Sequence, residues 1–531
     1  MVVTLKKVLI SDEVDARCAE ILQTNGIEVV KNTKLSKEEL IAEIGKYDGL
    51  IVRSATKVTA DVLAAATNLK IIGRAGTGVD NIDCNLATKK GIIVMNTPGG
   101  NTLSAAEHTC AMICSLSREI PQAVASVKDG RWERKKFMGS ELYGKTLGII
   151  GLGRIGKEVA IRMQSFGMTT IGFDPIIPAE VSVEFNVEWL PLDQIWPRAD
   201  YITVHTPLIP ATTNLINEKV FAACKKGVRV INVARGGIID EVALLKALES
   251  RQCGGAGLDV YVEEPLKDFS LVQHPKVICT PHLGANTVEA QSRVAMEIAE
   301  QFVDLVQGKS LFGAINAQAL SNALSPTSQP IISLGDGLGR LAGALGGVVT
   351  EPTTVTVQTY GSSLRGTGAY LGAAVLAGIL KTVRSGNHLN LISAPVIAKE
   401  LGYQLKTSHE DSPQNGYPAL VTVTLQSGSA SPITVSGTSS GASALLVAIG
   451  DATLPSPFSL QGDVIAFRSQ ANPQILSAVS GALAGANSSL LSYGASVPVK
   501  GQMWGFARVT PPVGDLSVLK LHTDFSVQLA M

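Results

Sequence analysis

The sequence predicts an α/β protein built on doubly wound parallel sheets and followed by an α+β tail. Three observations carry that prediction. Short apolar runs alternate with amphipathic stretches over the first 285 residues, a Gly-x-Gly-x-x-Gly array closes one of those runs, and the composition turns rich in Gly, Ala, Ser and Thr after Gly308. Apolar strands alternating with helical spacing form parallel sheets covered by helices. With 531 residues there is room for two to four domains with sizeable cores. The expected division is 1–97 with 286–307, then 98–285, 308–453 and 454–531.

Composition excludes several classes. Lys+Arg and Asp+Glu both total 45, so the formal net charge is zero and neither nucleic acid nor an anionic membrane is expected as the main partner. The amino-terminal MVVTLKKVLISDEVD becomes charged too soon for a signal-peptide core. The longest apolar stretch, near 369–380, is too short to span a bilayer, and a soluble cytosolic protein is expected. The seven cysteines form no C-x-x-C pair and no Cys/His metal spacing, which predicts reduced thiols and no metal site.

In residues 7–98 the runs KVLISD, IEVVKN, GLIVRS, LKIIGRAG and GIIVMNTP read as parallel strands. Ligands gather at the carboxyl ends of such strands. That singles out Arg53 and Ser54 after one run, and Arg74, Gly76 and Thr77 after another. Residues 101–116 read as a helix with Asn101 or Thr102 as N-cap and Leu103, Ala106, Cys110, Ile113 and Cys114 on one face. Glu107 and His108 on that helix either pack and cap or take part in chemistry.

The stretch 147–156, LGIIGLGRIG, is strand, tight turn and helix. Gly151 permits the turn, Gly153 lets backbone approach a pyrophosphate, and Gly156 allows helix to pack closely on strand. The helix N-terminus then offers N–H groups to phosphate. Lys157 to Phe166 carries Val159, Ala160, Met163 and Phe166 at helical spacing. Asp174, at the end of the next run, suits the ribose hydroxyls and would repel a 2′-phosphate, so this Rossmann-type pattern is read as binding NAD rather than NADP. The runs ADYITVHTP, GVRVINVARGG, GGAGLDV and KVICTPHLG continue the same domain. A helix over 286–306 then carries Val294, Ile298, Phe302 and Leu305 at helical spacing, returning the chain to the first domain.

Beyond Gly308, TTVTVQTYG and ALVTVTLQSG look like strands of a folded intervening domain. The last segment reads strand (DVIAFRSQ), helix (472–486), strand (LLSYGASVPV), strand (QMWGFARV), helix (516–525), strand. That is a split βαβ order.

A hydride-accepting cofactor needs a partner for the accompanying proton. His282, at a strand end in TPHLG, can take a proton from a hydroxyl because its pKa lies near neutrality. A lone histidine is more often structural; Glu264, in VEEPL, would favour the chemical role by holding one ring nitrogen. Arg235, in NVARGG, offers a planar fork for a carboxylate.

GLGRIG, NVARGGIID, GLDVYVEEP and TPHLG in this order resemble the D-isomer-specific 2-hydroxyacid dehydrogenases. That resemblance makes Arg235, Glu264 and His282 the catalytic set. It also implies cofactor contacts from Thr77, Arg154, Ile155, Asp174, Thr206, Ala234, Asp259, Gly284 and Ala285, and from Arg235 and His282 themselves, beside a flavodoxin-like substrate domain. VRSATKVT, GRAGTGVDNID, NTPGGNTLSAAEH, RWERKKFMG and the long carboxyl extension look like the animal, long-form branch of the family that oxidises 3-phospho-D-glycerate in serine synthesis. The resemblance implies an intervening and an ACT-like domain in the tail, a dimer or tetramer, and side activity on 2-oxoglutarate or oxaloacetate. A substrate with carboxylate and phosphate needs several cations, so Arg53 and Arg74 are the candidates, with Ser54, Gly76 and Thr77 lining the site. Arg134 either reaches a neighbouring subunit's site or belongs to a solvated basic loop. Two other functions stay open on the residues: a glyoxylate or hydroxypyruvate reductase, and an NAD-sensing scaffold like the corepressors that resemble this family.

Overall fold

A computed structural model describes residues 3–347, 352–384, 389–472 and 474–531; Pro473, inside the expected tail helix, lies outside the described residues. The chain forms two compact units, one of Met1–Asn96 with Ile298–Met531 and one of Thr97–Glu297. The second boundary falls inside the helix Val288–Val306. The strand Ala452–Ser459 runs across the division expected at 453.

In the first unit, residues 7–96 form a five-stranded sheet in the order Glu28–Lys31, Lys7–Ile10, Gly49–Val52, Ile71–Arg74, Ile93–Asn96. Every pair is parallel. This 2-1-3-4-5 order is the flavodoxin-like one. Gly49–Val52 is buried along its whole length, as a strand covered on both faces must be, which is why it reads as a continuous apolar run. Ile298 and Phe302 pack so closely over Gly73 that a Cβ there would lie 2.5 Å from the Phe302 ring.

The second unit holds a seven-stranded parallel sheet in the order Val277–Cys279, Cys253–Leu258, Val228–Asn232, Tyr201–Val204, Thr146–Ile150, Thr169–Phe173, Glu188–Trp189. Strand order reverses between Thr146–Ile150 and Tyr201–Val204, which opens a ligand crevice at their carboxyl ends, the hallmark of the Rossmann arrangement. The helix Thr102–Arg118 buries Ala106, Cys110 and Ile113 as expected, while Leu103, in the first turn, is exposed and Ser104 and Ala105 are buried instead. Asn101 occupies the N-cap position without a side-chain cap bond. In the helix Arg154–Gln164, Val159, Ala160 and Met163 are buried; Phe166, beyond its end, is exposed.

The carboxyl-terminal part of the first unit contains two further sheets. One has six strands, with Tyr403–Glu410 parallel to Thr353–Tyr360 and every other pairing antiparallel. The helices Gln329–Gly346 and Gly368–Val383 belong to the same region of the chain. The other sheet is four-stranded and antiparallel, in the order Ser489–Ala495, Gln502–Thr510, Asp463–Gln470, Phe525–Ala530. The expected βαββαβ order is present. Its second helix is shorter than expected: Asp515 Oδ1 accepts from Ser517 N to start it, Ser517–Lys520 is helical, and by Asp524 the backbone already donates to Arg468 O in the sheet. Strand pairing therefore takes residues 524–525 that helical spacing had assigned to the helix.

Candidate active site

At the crevice of the seven-stranded sheet, Gly151 ends Thr146–Ile150 with φ +97, and a Cβ there would lie 2.5 Å from His205 O on the adjacent strand's exit. At Gly156 a Cβ would lie 2.0 Å from Gly151 O, so the turn closes only on glycine. Gly153 faces open space, with nothing within 4 Å of where a Cβ would stand. The helix Arg154–Gln164 begins immediately after it, so Arg154 and Ile155 occupy the first turn, whose N–H groups have no intrahelical acceptor. Asp174 Oδ2 accepts from Leu152 N (2.9 Å), and its Oδ1 accepts from Ile176 N (2.8 Å) and Ile177 N (3.0 Å), so its carboxylate is fixed beside the glycine turn. Thr206 Oγ1 is buried without a hydrogen-bond partner. An open glycine, an unpaired hydroxyl and a helix N-terminus at one strand-order reversal fit a dinucleotide.

Three strand ends further along the same sheet build the second cluster. His282 Nδ1 lies 2.7 Å from Glu264 Oε2. With a carboxylate as acceptor, Nδ1 carries the proton and Nε2 keeps its lone pair for a substrate. The hydrogen bond that His282 donates to Glu264 holds the His282 pKa above its ordinary value; burial and the nearby charge of Arg235 oppose it. For Glu264 burial acts to raise the pKa, but the bonds from His282 and from Tyr261 N (3.0 Å, to Oε1) outweigh it and hold the carboxyl below its ordinary value.

His282 itself sits at φ +55, in the left-handed region, and the fold holds it there. Asp259, fully buried, accepts from Thr280 Oγ1 (2.6 Å), Leu283 N (2.7 Å) and Gly284 N (2.8 Å), so its carboxylate clamps the turn on both sides of the histidine. Thr280 gives its only proton to Asp259, so its oxygen accepts from His108 Nε2 at 3.0 Å. His108 thus packs behind the turn. Gly284 is tight as well: a Cβ would lie 2.8 Å from Val233 Cγ1. Arg235 is half-buried in a turn held by Asn232, whose amide donates to Arg235 O (2.8 Å) and accepts from Ala234 N (3.0 Å).

In the other unit, Arg53 and Ser54 follow Gly49–Val52, and Arg74 ends Ile71–Arg74 with Gly76 and Thr77 just after it. Asp12 Oδ2 accepts from Arg53 N (2.5 Å), while Asp12 Oδ1 accepts from Thr56 N (3.1 Å) and Thr56 Oγ1 (2.6 Å). Asn81 accepts from Arg74 Nε at 3.1 Å. Thr77 O accepts from the Asn96 amide. The Arg74 guanidinium lies over Gly76, where a Cβ would be 2.4 Å from Nη1. Burial draws the Arg53 pKa down from its ordinary value and Asp12 opposes that.

Asp12, Asn81, Asn96 and Asn232 were not visible as site residues in the sequence. Their only local signal is their place in polar turns. Arg134 is exposed in the segment between Ile120–Lys128 and Thr146–Ile150. Ser54 and Ala285 are exposed and half-buried respectively. Among the described residues no group of three or more His, Cys, Asp or Glu could hold a metal, and no helix is long and apolar enough to cross a membrane.

Residues 110–284 match the family model of the D-isomer specific 2-hydroxyacid dehydrogenase NAD binding domain, and residues 327–449 that of the D-3-phosphoglycerate dehydrogenase intervening domain. The chain is 53% identical over 530 residues to D-3-phosphoglycerate dehydrogenase of Sus scrofa, covering 99% of this chain and 98% of that one. To the Bacillus subtilis protein of the same name it is 44% identical over 438 residues, 81% of each. Among solved structures it resembles a glyoxylate reductase from Paecilomyes thermophila (28% identity, TM-score 0.55, covering 59% of this chain and 99% of that one). It also resembles a D-lactate dehydrogenase of Aquifex aeolicus complexed with NAD and lactic acid (28%, TM-score 0.51, covering 57% and 96%).

Proposed function

The chain belongs to the D-isomer-specific 2-hydroxyacid dehydrogenase family, and from that premise we propose that it oxidises 3-phospho-D-glycerate to 3-phosphohydroxypyruvate with NAD, the first step of the phosphorylated route to L-serine. The observation that carries this reading is the 2.7 Å His282–Glu264 pair beside Arg235, in a chain aligned over 99% of its length with a relative bearing the phosphoglycerate dehydrogenase name.

NAD is held by the turn Gly151, Gly153 and Gly156 with Arg154 and Ile155, by Asp174 on the ribose, and by Thr206, Ala234, Asp259, Gly284, Ala285 and Thr77. When bound it supplies the hydride acceptor. His282 takes the proton of the 2-hydroxyl on Nε2. Glu264 stabilises the resulting imidazolium through Nδ1. Arg235 fixes the carboxylate and supports the developing carbonyl. Arg53 and Arg74, with Ser54, Gly76 and Thr77, take the remaining anionic charge; Arg134, which is exposed, either adds to it from a neighbouring subunit or belongs to a solvated basic loop. Side activity on 2-oxoglutarate or oxaloacetate follows from a site that recognises short 2-oxo acids.

The same reading assigns residues 1–97 with 286–307 to the substrate domain, 98–285 to the NAD domain, 308–453 to the intervening domain and 454–531 to an ACT-like module. It makes the protein a dimer or tetramer in the cytosol. Ile120, Val124 and Val127 expose one apolar face of the helix Ile120–Lys128, and Trp132, Met138 and Tyr143 are exposed nearby in sequence, which supports burial against another copy. Seven free cysteines suit a reducing compartment.

The test is NADH absorbance on mixing protein, NAD and 3-phospho-D-glycerate, with D-glycerate as control. NADH formed only with the phosphorylated acid is the expected result. Equal rates with D-glycerate would favour a hydroxypyruvate or glyoxylate reductase, and no NADH despite NAD binding would favour a sensing scaffold.

A further inference from the structure

Resting on the assignment of Arg53 and Arg74 to the substrate's anionic groups, we propose that Asn81 is the positioning residue of that anion site, setting both arginines through one side-chain amide. The amide makes three hydrogen bonds, one to each arginine and one to Thr56. Its oxygen accepts from Arg74 Nε at 3.1 Å, and its nitrogen donates to Arg53 O at 2.7 Å and to Thr56 O at 2.6 Å. Asp12 takes the N–H groups of the same two residues, Arg53 and Thr56. The strand-end loop 53–56 is thereby held on its donors by Asp12 and on two of its carbonyls by Asn81. These two side chains do there what a strand ladder does inside the sheet.

Only an amide meets this demand at one position. Asp offers an acceptor to Arg74 but no N–H for two carbonyls. Ser or Thr has a single proton, and Ala has neither group. The bond to Arg74 is made at Nε, which fixes the guanidinium plane, with Nη1 lying over Gly76. The amide also adds no charge of its own, so it directs a cation without repelling an incoming phosphate or carboxylate. Asn81 touches neither substrate nor cofactor in this account; its effect is on how tightly the phosphorylated acid is held.

The experiment is steady-state kinetics on the full-length protein with Asn81→Ala, Arg74→Ala and the double variant, reading kcat, KM for 3-phospho-D-glycerate and KM for NAD. Asn81→Ala is expected to raise KM for 3-phospho-D-glycerate about tenfold, the scale of lost hydrogen bonds to charged groups. Its kcat should stay within about threefold and KM for NAD should be unchanged. In the Arg74→Ala background the same change should raise KM by a smaller factor, because part of its route is already gone.

The inference is overturned if Arg74→Ala raises KM while Asn81→Ala leaves it within about twofold of the parent, or if the Asn81 factor is the same in both backgrounds. If Arg74→Ala itself leaves KM unchanged, the substrate assignment fails and this inference falls with it. Should Asn81→Ala not yield folded protein, Asn81→Asp is read by the same criteria. It keeps the shape and the acceptor for Arg74 and loses both donors, so a KM within twofold of the parent contradicts the proposal.

Discussion

At the strand ends of the seven-stranded sheet, carboxylates hold the histidine, and the neutral amide of Asn232 holds the Arg235 turn. Asp259 clamps the His282 turn, and Glu264 bonds directly to the imidazole. At the strand ends of the five-stranded sheet, the neutral amide of Asn81 accepts from the Arg74 side chain, and the Asp12 carboxylate accepts from backbone N–H groups and a hydroxyl. The contrast follows from what each end must do. A group that gains and loses a proton near neutrality needs a charge beside it to set its pKa. A group that stays cationic needs only direction. The polar support therefore follows the group it serves: a carboxylate on the imidazole, and an amide at Arg235 and at Arg74.

Substitutions on each side should separate cleanly. His282→Ala removes the proton acceptor and is expected to lower kcat about 10³-fold, within the span of general base catalysis, while NAD still binds. Arg74→Ala should act the other way, raising KM for 3-phospho-D-glycerate at least tenfold with a much smaller change in kcat. Steady-state kinetics with NAD titration by fluorescence checks both. If His282→Ala raised KM and spared kcat, the division between the two ends would collapse.

The glycine turn sharpens the comparison between holding a fold and holding a ligand. Gly156→Ala places a methyl 2.0 Å from Gly151 O and should destabilise the protein by about 3 kcal/mol, seen as a lowered Tm. Gly153→Ala meets no atom within 4 Å and should leave Tm nearly unchanged while raising KM for NAD about tenfold, because its methyl enters the pyrophosphate's approach. Equal effects of the two on Tm would mean that Gly153 is there for folding.

These differences mark what the sequence could and could not reveal. The parallel sheets were legible because each strand is a short apolar run ended by polar residues, and the Gly151–Gly156 array named its own turn. Arg235, Glu264 and His282 were candidates by residue type, and the resemblance to the family made them the catalytic set. Asp12 and Asn81 gave no such signal. Asp12 meets Arg53 and Thr56 from 41 and 44 positions away, and Asn81 meets them from 28 and 25, so only the fold brings them together. An asparagine in GVDNID reads as a turn residue until its partners are known. The clamp by Asp259 was likewise hidden, since the resemblance implies only a cofactor contact for it, and its acceptance from Thr280, Leu283 and Gly284 is visible only in the folded chain. In the tail, helical spacing over 516–525 overran the start of the strand Phe525–Ala530, because local periodicity does not register a distant strand's hydrogen bonds.

The smallest expected effect tests the account most directly. Oxidation needs neutral His282 as base, so the rising limb of kcat/KM against pH reports its pKa in the free enzyme. Glu264 holds that pKa above the ordinary histidine value. Replacing it by Gln removes the charge and keeps the shape. The rising limb measured with 3-phospho-D-glycerate should then move to lower pH in Glu264→Gln than in the parent enzyme. A limb that stays in place or moves to higher pH would show that His282, tuned by Glu264, is not the group that takes the proton.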